Sequence, residues 1–547
     1  MRVWENAFIN WAIPQFLAPT LLKTVRKTSP YVLLALIASS MPANAQTSWN
    51  NAGSGDWFTP GNWTPNTVPD STTSVVVNQG DAEITSGAAA SATASLGSIS
   101  GANGTVTVDG AAATWTVGGN AFIGNVGSGA LTISDGGTVA DGTGLISSAS
   151  GSAGTVTVTG ANSLWSNAVS LYVGRLAAGS LTIADGGTVE VGSQLDVGNV
   201  GSTTTPGIGK VTVDDGTLIA GATDIGQAGA GEMTIENGGT VKSAGASVAI
   251  SGPGSVTVTG SGSSWDTGSA LSSSYLAVGY YGGPGTLNIT DGGSVESYST
   301  YLSFGSTPSS VSVDGSGSSL SAVKGVFVGT YGAGELSITN GGTVADAQGT
   351  VGYVSTGTAT VDGAGSKWTN TGDMYVGENS GGTGTLNLQD GGTVSAATLF
   401  LGDKTGATGT LNIGSAGVPS TGGALSVAGI AFGAGTGTVN FNQTDTFTLG
   451  APITGAGSIN QVGPGTTVLT QASDYTGTTT ISAGEMVAGN SAAFGGSHVN
   501  LSGGVLAVGG GNRTITLANG YSQTGGTLLV SVDNAGSDRI DVTGGST

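Results

Sequence analysis

Few side chains in this sequence are suited to proton transfer or nucleophilic attack. His498 is the one histidine of 547 residues. A Ser–His pair oriented by an aspartate would need it, but no G-x-S-x-G elbow accompanies it, and its setting, Gly-Gly-Ser-His, reads as an exposed turn. Paired carboxylates serve glycosidases, and Asp214-Asp215 is the one adjacent acidic pair. Asp135, Asp185, Asp291 and Asp390 recur at one place in a repeated motif, where Asn237 and Asn340 stand in two further copies. Stacked carboxylates can hold Ca²⁺. The Asn copies keep turn chemistry while losing charge, however, and the calcium-binding nonapeptide is absent. Trp115, Trp165, Trp265 and Trp368 also recur. Regular recurrence favours a stacked aromatic column packed in or on a rod over a ligand site. Catalytic, cofactor-binding and metal-binding residues are therefore each expected to be none, and no enzymatic activity is expected.

Residues that repeat are positioned by elements that repeat, and the period defines the architecture. The motif LTISDGGTV at 131–139 returns at 181–189, 233–241, 287–295, 336–344 and 386–394. Between its copies lies a second motif, Val-Thr-Val-x-Gly leading to tryptophan, as at 106–115 and 156–165. An aromatic or aliphatic residue followed by Val-Gly or Ile-Gly closes nearly every unit, as at 122–124, 172–174, 327–329 and 375–377. The first strands of the units begin at 106, 131, 156, 181, 211, 233, 256, 287, 311, 336, 359, 386, 411 and 439, a spacing near 25 residues.

Each unit alternates apolar and polar residues over short runs, the mark of a half-buried strand. Asp-Gly-Gly supplies a tight turn, because Gly accepts positive φ and Asp bonds its own backbone. No unit can bury its apolar face alone, whereas stacking buries a continuous column. The fold expected is all-β: a right-handed parallel β-helix, or β-solenoid, of about fourteen or more rungs with two or three strands per turn. Fourteen rungs at ~4.8 Å would span about 65 Å. A six-bladed propeller fits the 50-residue double unit less well, because the half-unit is itself repeated and its strands are very short.

Composition agrees. Glycine makes up 102 of 547 residues, cysteine is absent, and 12 basic residues face 33 acidic ones for a net charge of −21. No disulfide framework or cysteine zinc site is possible, and a nucleic-acid partner would need a basic footprint. The mean hydropathy of +0.18 and the 8% charged residues are foreign to ordinary disorder. Lys23, Arg26 and Lys27, the apolar run at 31–38 and Ala43-Asn44-Ala45 form an extended signal peptide over 1–45, cleaved before Gln46. Cleavage leaves 8 basic and 32 acidic residues, a charge of −24. The Trp-rich segment 46–100, with Trp49, Trp57 and Trp63, is expected to cap the N-terminal end. Residues 101–450 carry the repeats, and 451–547 a changed pattern.

In that last region Val468, Leu469, Tyr475, Gly477, Thr479, Ile481 and Gly484 stand in place in a pattern that resembles the autotransporter-associated β-strand repeat. The LTI-DGGTV and YVG units resemble the passenger regions of autotransporter-like proteins. The resemblance implies Sec-dependent export to the cell surface, outer membrane or exterior of a Gram-negative bacterium, with a role in adhesion or surface structure. A β-helical polysaccharide lyase or hydrolase and a biofilm matrix component are the alternatives. The partners implied are a host or cell-surface glycan or protein, met through loops such as 201–210 and 270–281, the latter with Tyr275, Tyr280 and Tyr281. The translocating outer-membrane β-barrel of such proteins is not within these 547 residues, and the sequence reads as truncated before it.

Overall fold

In the computed structural model, residues 45–199, 207–533 and 536–545 are described; apart from Ala45 the expected signal peptide lies outside them. The rest is built on one pairing rule. The Val-Thr-Val run of each unit pairs in parallel with the same run of the next, apolar residue on apolar residue. Leu131 aligns with Val106 and Val156, and Val156 with Leu181. Inward residues such as Val108, Ile133, Val158 and Ile183 are fully buried, while the threonines between them face out. Each such side chain contributes about 1.5–3 kcal/mol when removed from water.

All fourteen expected strand starts fall on this one column, which extends further in both directions. It begins at Gly55 and Ala82 and continues past Val439 through Ile459, Thr479 and Val499 to Tyr521. The result is an all-β parallel solenoid of 20 stacked strands on this face, about 90 Å long at ~4.8 Å per step. The sole helical turn among the described residues is Pro60–Asn62. No helix among them is long and apolar enough to cross a membrane.

Each rung then turns twice. At the Asp-Gly-Gly turn, Asp135, Asp185, Asp215, Asn237, Asp291, Asn340 and Asp390 all take φ between 50° and 53°. Asp and Asn tolerate this left-handed conformation better than other non-glycine residues. The chain next runs through the tryptophan-bearing segment and the aromatic-Val-Gly segment. These are sometimes one strand, as in Leu164–Val173, and sometimes two, as in Ala113–Val117 and Asn120–Ile123. The closing glycine is also left-handed: Gly174 has φ +69°, and a Cβ there would lie 2.2 Å from the Ile208 carbonyl oxygen. Neighbouring rungs thus approach backbone to backbone at this corner.

Beyond Val439 the rungs shorten to 20 residues for three steps. A separate five-stranded sheet starts with Thr446–Leu449 and ends with Thr527–Leu529. At the N-terminal end, Trp49 and Trp63 pair in an antiparallel bridge. The Trp57 ring lies 4.7 Å from Trp63 and 5.4 Å from Trp115, at the foot of the stack.

Candidate binding face

The four recurring tryptophans are buried, each at most 1% exposed. They do not stack on one another, contrary to the expected aromatic column. Each is sandwiched between aliphatic residues of the rungs above and below: Trp165 between Val139 and Val189, Trp265 between Val241 and Val295, Trp368 between Val344 and Val394. The reason is size. The Trp165 indole reaches over the adjacent rung, where a Cβ on Gly144 would lie 2.7 Å from its Cζ2. The Trp165 and Trp368 N–H groups donate inward to the buried carboxylates of Asp141 (2.7 Å) and Asp346 (3.2 Å).

The turn carboxylates serve their neighbours. Thr159 donates to Asp185 at 2.9 Å, Thr259 to Asp291 at 3.2 Å, and Thr421 to Asp390 at 2.7 Å. Asn237 donates to Asp214 at 2.7 Å, so the adjacent pair is a turn element in which Asp215 is the left-handed residue. No group of three or more potential ligands suited to a metal ion occurs among the described residues. His498 is no exposed turn residue. It opens the strand His498–Leu501, half-buried, with Nδ1 3.0 Å from the Asn519 carbonyl and Nε2 3.1 Å from the Ser522 hydroxyl. The in-register stacking of that strand fixes it there.

The side chains that converge are those beside the glycine corners. Two outward columns run up this edge. The first gathers Tyr172, Asp196, Asp224, Ser247, Ala277, Tyr301, Phe327, Thr350, Tyr375 and Phe400, one per rung, through consecutive strand pairings. The second lies just past the corner and includes Asn199, Gln227, Tyr280, Phe304, Tyr353 and Glu378. The two columns make one strip with two characters.

Its lower part is polar. Gln194 donates to Asp196 Oδ1 and to Asp224 Oδ2, both at 2.7 Å, while Asn199 donates to Asp196 Oδ2 at 2.6 Å and to Gln227. Burial, then the neighbouring Asp224 charge, raises the Asp196 carboxyl to about 6, and burial raises Asp224 as well. Its upper part is aromatic. Tyr280 stacks on Phe304 at 5.3 Å, Tyr301 on Phe327 at 5.0 Å, and Tyr375 on Phe400 at 5.0 Å. These offset pairs sit one rung apart and suit the ring quadrupoles.

Where the parts meet, the insertion carrying Tyr275 folds over the face. Tyr275 and Tyr280 stack at 5.9 Å with their hydroxyls 3.3 Å apart, and Tyr281 stands edge-on to Tyr280, 66% exposed. They wall a cleft of about 270 Å³ whose lining includes Asp224 and Ser247. Larger grooves of about 470, 460 and 380 Å³ lie elsewhere, but they are lined mostly by small and aliphatic residues, each with a single acid and no aromatic ring. The expected contact loop 270–281 is thus part of a real cleft, whereas most of 201–210 lies outside the described residues. Sequence reasoning found Tyr172, Phe327 and Tyr375 as the aromatic of the closing motif but did not read them as part of one strip, since the other members differ in type.

No protein-family model and no curated protein matches the chain. Among solved structures, it is similar to a fragment of TibA, residues 55–350 of that protein, hyper-glycosylated by TibC catalysis. The identity is 17% and the TM-score 0.35, over 69% of this chain and 97% of that one.

Proposed function

We propose that the chain is a secreted, surface-displayed passenger of the autotransporter type, which adheres through the strip along its corner edge and catalyses no reaction. The observation that carries this reading is the strip: aromatic, amide and acid side chains held at rung spacing along one edge, where Asp224, Tyr280, Tyr301, Tyr375 and Phe400 are partly exposed between buried members such as Asp196, Ala277 and Thr350. A solenoid presents such a surface far from its point of attachment, and adhesion needs reach and area more than a pocket. The cleavage site before Gln46 and the autotransporter-associated pattern at 455–484 supply the route and the setting.

The stacked pair Asp196 and Asp224 is the feature that favours the rival, a polysaccharide-active enzyme. Its geometry is that of a structural bond network joining neighbouring rungs. Asp196 is 3% exposed, and both its oxygens are taken by Gln194 and Asn199, whereas a general acid must reach the glycosidic oxygen.

The test is made in cells expressing the gene with its native downstream sequence. The expected result is a chain that begins at Gln46, is removed from intact cells by external protease, and leaves bound polysaccharide unshortened. A chain retained inside with Met1, or a polysaccharide cut by the purified protein, would refute the proposal.

A further inference from the structure

The geometry points to a neutral, hydroxyl-rich glycan chain as the ligand of the corner strip, lying along the solenoid axis and anchored in the cleft under Tyr275, Tyr280 and Tyr281. This rests on the reading of the chain as a surface-binding rod and names its ligand class. Three observations converge on it.

The first is the chemical mixture. Sugar rings offer C–H faces to aromatic rings and hydroxyls to carboxylates and amides. The cleft supplies both within one small volume: three tyrosine rings, the Asp224 carboxylate, and the hydroxyls of Ser247 and Ser274. Tyr280 feels the charge of Asp224, and its own hydroxyl is drawn up by the bond from Tyr275. Ring wall and carboxylate floor are therefore close enough to engage one ligand.

The second is sign. No cation lines the cleft. Further up the strip Lys404 is held by Asp403 at 2.7 Å, beside Glu378 and Asp373, and the strip's other cation, Arg175, lies past the corner of the Tyr172 rung, two rungs below Asp224. In a chain of net charge −21, phosphate, sulfate or uronate groups would meet repulsion at the cleft, whose one charged lining residue is Asp224. A neutral ligand would not.

The third is extent. From Asp196 to Phe400 the outward column has one member per rung over eight steps, about 40 Å at ~4.8 Å each. Amides and acids at one end, and rings spaced by single rungs at the other, suit a polymer whose units repeat along the axis.

The experiment is calorimetric titration of the purified full chain with neutral oligosaccharides (cello-, manno- and xylo-series, two to six sugars) and with oligogalacturonate and heparin fragments. At least one neutral series is expected to bind, with affinity rising with length, and both anionic probes are expected to fail. Tyr281→Ala and Asp224→Asn should each weaken binding about tenfold, as truncation at a contact centre does, with an unchanged far-ultraviolet spectrum. Val418→Ser, at an 81% exposed position outside the strip, should leave binding unchanged. Failure of every neutral series, equal binding of the anionic probes, or full affinity in both strip variants would overturn the assignment. Because the titration uses purified protein, it stands or falls separately from the export result in cells.

Discussion

Asp141 and Asp346 show how much a single position can hide. Each carboxyl is inside the stack, 5% exposed, accepts one indole N–H on Oδ2, where Asp346 also takes the Val326 N–H at 3.1 Å, and leaves its Oδ1 without a partner. In register on the next rung stand Asn167 and Asn370, whose Oδ1 atoms are likewise unpartnered. A neutral carboxyl suits such a place, because its O–H is a donor, whereas a carboxylate there would be a charge without solvation. Burial accordingly lifts both acids from 3.8 to about 7. The folded state then binds the proton more tightly than the unfolded chain. The stabilisation is complete below pH 3.8 and is lost as pH rises towards 7, on the order of 4 kcal/mol per acid. Asp196, Asp224 and Glu378 shift the same way, so the informative comparison is with a double variant. Asp141→Asn with Asp346→Asn should melt higher than the parent above pH 7, with a shallower dependence between pH 4 and 7. Identical pH profiles would show that these carboxyls are charged in the fold. The motif alignment gave no hint of this pairing, since Asp141 and Trp165 belong to different units.

Among the elements, the upper rungs are joined by a ladder of amides. Asn387 donates to Thr360 at 3.2 Å, Asn412 to Asn387 at 2.8 Å, Asn440 to Asn412 at 2.9 Å and Asn460 to Asn440 at 2.9 Å. Asn412→Ala strands the Asn387 acceptor below and the Asn440 donor above, and should cost about 2–3 kcal/mol in denaturant unfolding. Asn288→Ala, at the same register position but making no such bond, should cost well under half of that; equal losses would remove the ladder's special role. The strands, the Asp-Gly-Gly turn and the glycine corner were legible in the sequence because each copy restates them. The corner strip was not. Tyr301, Phe327, Thr350 and Tyr375 occupy one column, yet their types vary freely because nothing in the core constrains an outward side chain. The closing motif marks Phe327 and Tyr375 as equivalent, and the register of the rungs adds Tyr301 and Thr350 to them. The tryptophan column was misjudged for a related reason: recurrence gives the column, but the register of the rungs places an aliphatic residue directly above and below each indole.

At the scale of the molecule, a stack with nearest-neighbour contacts unfolds as a linear array, so its ends set its behaviour. The buried cluster of Trp49, Trp57 and Trp63 is expected to guard the first rung. Trp57→Ala, a loss of about 3–5 kcal/mol by cavity formation, should raise hydrogen exchange most in strands near Ala82 and Val106 and least in those near Leu336. Uniform exchange across the chain would show all-or-none unfolding instead. The stack runs beyond the fourteen repeated units, within the expectation of fourteen or more, because the units at both ends lack the repeated motif and keep only its register. That register has a mechanical meaning. The hydrogen bonds between rungs point along the axis, so a pull on the two ends loads them one rung at a time rather than all together. Each rung that yields converts ~4.8 Å of rod into a tether of roughly 80 Å, the reach of about 25 extended residues. Under flow or traction such a molecule would lengthen step by step, dissipating work at each release, while the rungs still stacked keep their grip.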